Sequence, residues 1–180
     1  MPYNLPAFNT QRISIGPAII YIGQAGQTPT VDLGAVYEAE LRFSAEETEF
    51  YAGAPSGLQW RRSRHLKATL TVKGLEWRLD SLQKAIGGLY AEEGDVEVLY
   101  ATGDISEAVS LRAIHQMPSG GTIIIDFFRA IPTGYPDISF GYSPHQLPFT
   151  FSALVSKYDF EGNPLPSNTF FKLVFQKPSL

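Results

Sequence analysis

The sequence predicts a mainly antiparallel β domain, a sandwich or barrel, with one flanking α-helix. Three observations carry that prediction. Short segments alternate apolar and polar residues with a period of two, the signature of half-buried strands. Gly (16) and Pro (13) are spread along the chain, as many short strands joined by turns require. Only one stretch, 75–87, changes to helical spacing. At 180 residues the chain fits a single domain over 1–180. A domain of that size buries roughly 70% of its unfolded surface, so one apolar core suffices.

Taken in order, residues 12–23 are rich in β-branched residues and bounded by glycine, which reads as a buried strand with a break at Gly16-Pro17. Residues 24–34 are turn-rich. Residues 35–43 place Ala35, Tyr37, Ala39, Leu41 and Phe43 on one face, and Val36, Glu38, Glu40 and Arg42 on the other. Residues 65–73 do the same, with Leu66, Ala68, Leu70 and Val72 opposite His65, Lys67, Thr69, Thr71 and Lys73. Paired antiparallel, the two strands would bring Glu38 and Glu40 near Lys67 and its neighbours, at roughly 0.2–1 kcal/mol for each cross-strand pair. In the helix, Leu75, Leu79, Leu82 and Ile86 form one stripe, and Gly87-Gly88 supplies a stop. Further strands are expected near 95–101, 106–115, 121–129 and 147–155, with turns at Gly103-Asp104 and Pro118 to Gly121. An irregular loop at 130–145 would be packed by Tyr135, Phe140 and Tyr142. A turn from Glu161 to Asn168 leads to a last strand with Phe171, Leu173 and Phe175 on one face.

Chemistry is sparse. The absence of cysteine removes disulfides, thiol catalysis and thiolate metal sites. His65, His115 and His145 lack ligand spacing and read as strand-face and loop residues. Ser81-Leu82-Gln83-Lys84 matches a Ser-x-x-Lys motif without its companion motifs and reads as an exposed helix face. Glu92-Glu93-Asp95 reads as a helix-exit turn, without the spacing of a calcium loop. No phosphate-binding glycine pattern is present. The expectation is therefore no catalytic residue, no cofactor and no metal. No signal peptide is read at Met1 to Thr10, and the run Pro17 to Ile22 is far short of the ~20 residues that span a bilayer. The net charge of −4 argues against the chain as a whole gripping nucleic acid and leaves room for a surface that DNA slides past.

The most informative anomaly is the long connection from Ser44 to Arg64, since structureless loops beyond about 12–15 residues are uncommon and often functional. Its ascending side carries Glu46, Glu47, Glu49, Phe50 and Tyr51. Its descending side carries Trp60, Arg61, Arg62 and Arg64. Trp, Tyr and Arg are the residues enriched at binding hot spots. An acidic-aromatic arm beside a basic-aromatic arm is self-complementary between copies, and head-to-tail contacts build rings or filaments. After assembly contact the next reading is an inert loop, and the last is a nucleic-acid surface on which these residues stack on bases or grip phosphates.

The segment Gly16-Pro17-Ala18-Ile19-Ile20-Tyr21-Ile22-Gly23, then Pro29-Thr30-Val31-Asp32-Leu33-Gly34, resembles the start of siphophage major tail (tail tube) proteins. So does the order that follows: a long hairpin, a strand at Leu66 to Val72, a helix ending Ala85-Ile86-Gly87-Gly88 and a strand-rich second half. Leu147 to Leu154 is similar to the closing strands. The resemblance implies hexameric rings whose inner sheets join, stacked into a virion tail tube that conducts DNA without binding it specifically. It implies assembly in the host cytoplasm, with copies of itself and with tape measure, terminator and distal tail proteins as partners. Residues 44–64 match the family's inter-ring hairpin and 1–11 its N-terminal arm, while the chain departs from larger members in lacking an added immunoglobulin-like domain. Glu38 and Glu40, on the solvent face of a sheet strand, become lumen candidates, because carboxylates repel phosphate. The competing expectations are a type VI-like or distal tail ring component, or a carbohydrate-binding β-sandwich using Trp60, Tyr135 and Tyr142.

Overall fold

The alternating segments pair as their period requires. A computed structural model describes residues 18–53, 57–74, 76, 78–102, 107–118, 120–133 and 147–178, apart from the side chains of 63–65. In chain order the elements are β1 (Ile19–Gln24), β2 (Val31–Asp32), β3 (Val36–Ala52), β4 (Gly57–Gly74), α1 (Leu79–Ile86), β5 (Leu89–Glu93), β6 (Val96–Tyr100), β7 (Val109–Gln116), β8 (Thr122–Pro132), β9 (Leu147–Ala153), β10 (Ser156–Tyr158), β11 (Pro164–Thr169) and β12 (Lys172–Gln176). The fold class is the expected one: antiparallel β with, among the described residues, a single helix.

Eight strands form one sheet in the order β2-β1-β7-β8-β9-β4-β3, with β12 pairing the first half of β8. β9 takes over beside the second half of β8, opposite Ala130 to Pro132. The sheet curls until β3 lies across the core from β7 and β8. Phe171, just before β12, bridges Phe43 of β3 and Phe127 of β8, with ring centroids 5.2 and 5.7 Å apart. The enclosed cluster takes Ile20 and Ile22 from β1, Leu70 and Val72 from β4, and Phe151 from β9, all essentially inaccessible to solvent. Leu82 and Ala85 of α1 join it. The arrangement is an incompletely closed barrel: β2 and β3 end the sheet, and no described strand joins them.

Alternation alone misplaces Val36, Tyr37 and Leu66. A bulge at Tyr37 leaves Val36 opposite Gly74 and Glu38 opposite Lys73. The extra residue re-phases the strand, as bulges do. Val36 therefore shares the core face with Ala39 and Leu41, and Tyr37 turns outward at 61% exposure. On β4, Ala68, Leu70 and Val72 are buried as expected, whereas Leu66 is exposed.

The helix is shorter than 75–87, starting at Leu79 after Arg78 in extended backbone. Asp80 lies in its first turn and Lys84 in its last, the signs that a helix dipole favours. Ser81 is buried, and its hydroxyl donates to the Asp32 carbonyl at 3.2 Å, so the Ser-x-x-Lys serine ties α1 to β2 instead of lying on an exposed face. Gly87 and Gly88 close the helix at φ 80° and 104°. A Cβ on Gly88 would overlap the Tyr100 carbonyl oxygen. We expect Gly88→Ala to lose at least about 1–3 kcal/mol from the backbone conformation alone. Thermal unfolding measures this, and an unchanged midpoint would refute the close approach.

The turn Pro118 to Gly121 forms as expected, with Met117 N–H donating to the Gly121 carbonyl at 2.8 Å. The start of the first expected strand, with its Gly16-Pro17 break, the Gly103-Asp104 turn and most of the 130–145 loop lie outside the described residues. The 161–168 turn is displaced. Asp159 accepts from the backbone N–H of Glu161 and Asn163 at 2.9 and 2.8 Å, and β11 then begins at Pro164. Its two prolines, Pro164 and Pro166, suit a strand paired on one edge only. Arg112 of β7 and Asp126 of β8 form a bidentate pair at 2.6 and 3.0 Å, and the guanidinium lies over the Phe160 ring at 5.2 Å. That contact, with the Phe160–Phe128 ring contact at 4.8 Å, seats the β10–β11 hairpin on the sheet.

Candidate assembly surface

The Ser44–Arg64 excursion is strand, not loop. β3 and β4 remain paired out to Ala52 and Gly57. The next strand, β9, pairs with β4 only from Thr69 to Gly74. Beyond that seam the hairpin is a two-stranded ribbon. From Ser44 to Ala52, at about 3.3 Å per residue, it reaches roughly 30 Å past the sheet. An isolated two-stranded hairpin is marginal in water. This one is anchored in the sheet at its base and held by cross-strand pairs along its length.

Those pairs sort onto two sides. Glu47, Glu49, Tyr51 and Arg61 lie on one. Arg61 pairs with Glu49 and reaches Glu47 at 3.4 Å, and the Tyr51 hydroxyl donates to Glu49 at 2.5 Å. Phe50 and Trp60, directly opposed, lie on the other side with rings 6.2 Å apart and 20° from parallel. Thr48 and Arg62 share that side as the next such pair but one. Glu46 is opposite Arg64 in backbone register, while the Arg64 side chain lies outside the described residues. The acidic and basic arms thus meet first within one chain. Arg62 makes no ion pair among the described residues. Phe43, Phe50, Tyr51, Leu58, Trp60 and Leu66 are each about half exposed along the hairpin.

Hydrogen bonding to Tyr51, and then to Arg61, holds the Glu49 carboxyl below the ordinary glutamate value. The partner shift is consistent, with Tyr51 raised by the same bond. A depressed folded-state pKa means that the interaction is fully present above the unfolded pKa and is lost as pH falls through the folded one. We therefore expect Glu49 to titrate below the ordinary glutamate value in carboxyl-detected NMR. Tyr51→Phe should move it back toward the ordinary value, and no movement would assign the shift to Arg61 instead.

Glu38 and Glu40 lie on the solvent side of β3 near the ribbon base. Glu38 accepts from Lys73 at 2.6 Å, and Glu40 from Arg42 at 3.0 Å. The expected partner, Lys67, stands opposite Ser44 instead, because the register places Lys73 beside Glu38. Between β3 and β7–β8 lies a cleft of about 330 Å³ bordered by Tyr37, Glu38, Leu41 and His115. Among the described residues no group of three or more His, Asp or Glu is placed to hold a metal ion. His145, Tyr135 and Tyr142 lie outside the described residues. Among the described residues no helix is long and apolar enough to cross a membrane.

Sequence reasoning missed a second exposed surface. Glu92-Glu93-Asp95 is not a helix exit but the end of the β5–β6 hairpin, whose two-residue turn is Gly94-Asp95 with Gly94 at φ 65°. A Gly-Asp pair between two short β-type runs is the signal that could have found it. Glu92 accepts from the Tyr90 hydroxyl at 2.6 Å, pushing that phenol up to about 12.

No family model matches the sequence, and no curated protein matches it. Among solved structures, the chain is similar to one in an extracellular contractile injection system, the PVC sheath–tube complex in its extended state. The identity is 10% and the TM-score 0.46, over 95% of this chain and 99% of that one.

Proposed function

We propose that the chain is a non-enzymatic structural subunit that assembles with copies of itself into rings, hexameric on the tail-tube resemblance, stacked as a conduit for DNA. One observation carries the reading: a ribbon that projects roughly 30 Å beyond the sheet and leaves Phe50, Tyr51 and Trp60 about half exposed. A lone subunit gains nothing from holding these rings in water. An interface gains their burial, at about 25 cal/mol per Å² of apolar surface. The outer edge of β3, which no described strand pairs, supports the same reading, since an unpaired strand edge is a template for another strand.

Glu38 and Glu40 would face the lumen. Lys73 and Arg42 offset them locally. Repulsion of phosphate would then rest on the net charge of −4 multiplied around each ring. In the virion tail the subunit would contact tape measure, terminator and distal tail proteins at the ends of the tube.

Negative-stain imaging with light scattering against concentration tests the proposal. The expected result is annular or tubular particles that grow in number with concentration. A particle of one chain's mass at every concentration and ionic strength would overturn it.

A further inference from the structure

The β5–β6 hairpin turns an apolar face to solvent. Its cross-strand pairs Leu89–Tyr100, Ala91–Val98 and Glu93–Val96 share one side, and Tyr90–Leu99 and Glu92–Glu97 the other. Leu99 anchors the second side on the core. The first side is left with Leu89, Val96 and Tyr100 exposed at 59, 58 and 54%. A sheet with one face on the core ordinarily carries polar residues outward. Here Glu93 is the one charged residue on the outward side, and Asp95 follows it in the turn. Contiguous exposed apolar surface of this kind marks an interaction site.

We infer that this face receives the aromatic side of the β3–β4 ribbon from a second copy of the chain. The inference rests on the assembly reading above and names the surface that the ribbon meets. The two faces match in chemistry. Phe50 and Trp60 present an apolar centre beside Arg62, while Leu89, Val96 and Tyr100 present one beside Glu93 and Asp95. Neither Arg62 nor these two acids has an ion pair among the described residues, so each side offers the other an unspent charge at the rim of an apolar patch. That layout, apolar within and oppositely charged at the edge, is the one specific interfaces use. The ribbon's reach past its own sheet lets it arrive from a neighbour. Because the two surfaces are different patches of one chain, the contact is head-to-tail and repeats without closing a dimer.

The lack of cysteine makes a direct test available. Thr48→Cys, on the aromatic side of the ribbon, is mixed with separately prepared Glu93→Cys and oxidised mildly. Lys157→Cys, exposed on β10, replaces Glu93→Cys in the control. The expected result is a mixed disulfide dimer forming at least about tenfold faster than in the control, because docking raises the local thiol concentration. Equal rates, or preferential linking of Thr48→Cys to itself, would overturn the inference. A second arm uses charge. Arg62→Glu and Glu93→Arg should each slow particle growth, and the double exchange R62E/E93R should restore it; failure of restoration also counts against the pairing. Micrographs of the unsubstituted protein separate the two levels. Particles without the Thr48–Glu93 bridge sink this inference and leave the assembly reading standing. No particles at all sinks both.

Discussion

Replacing residues 47–63 by Asn-Gly should abolish assembly and leave the subunit folded. The junction joins Glu46 to Arg64, which already face each other, so a two-residue turn fits the register. None of the core cluster is removed: the buried β4 residues Ala68, Leu70 and Val72 and the buried β3 residue Val36 all lie on the sheet side of the cut. What is lost is exposed, including the Glu49–Arg61 pair and the Phe50–Trp60 stack. Surface changes of this kind alter stability by little, so the thermal midpoint should stay close to that of the full chain. Size-exclusion chromatography with light scattering should show only the monomer. If the shortened chain still forms particles like the parent, the ribbon does not carry assembly.

Phe127→Ala should produce the largest loss of stability. Phe127 is fully buried and packs against Phe171, which in turn meets Phe43 from across the core. Truncating such a ring costs about 3–5 kcal/mol, from lost transfer energy and the cavity left behind. Against a net stability of about 5–15 kcal/mol this is a large fraction. For a chain of this length it lowers the melting point by roughly 6–20 °C, taking 2–4 °C per kcal/mol. Leu173→Ala is the control. Leu173 sits on β12 opposite Ile125 but is 54% exposed, so its loss should be small. Equal midpoints for the two variants would mean that the sheet does not curl around Phe127.

Much of this fold is legible in the sequence, and the gaps have physical causes. The strands β4 and β9 announce themselves because one side of each is buried, which forces apolar residues to every second position, whereas β8 buries Asp126, Phe127 and Phe128 in succession and shows instead as a run of β-branched and aromatic residues. Val36 escaped because a bulge is invisible to a strict count of two. Lys67 was matched to Glu38 and Glu40 because alternation gives the face of a residue, not its register along the partner strand. β11 was read as a turn because Pro164 and Pro166 are turn residues wherever the hydrogen-bonding edge is unknown. Ser81 was assigned to the surface because its burial depends on a carbonyl 49 positions away. In the candidate assembly surface, the residue types of 44–64 drew attention, but their pairing did not: that Arg61 pairs with Glu47 and Glu49, while Arg62 makes no ion pair among the described residues, follows only from the two sides of the ribbon.

The two-sidedness of that ribbon constrains how its length can drift in evolution. Adding one residue to each strand below the tip would carry every distal side chain to the opposite surface, exchanging rings for carboxylates. Lineages that lengthen or trim it while preserving the same partner must therefore move in steps of two residues per strand, or compensate an odd step with a further bulge. A survey of descendants should find length variants clustered at even increments, with odd ones accompanied by a shifted irregularity near 45, 59 or 65.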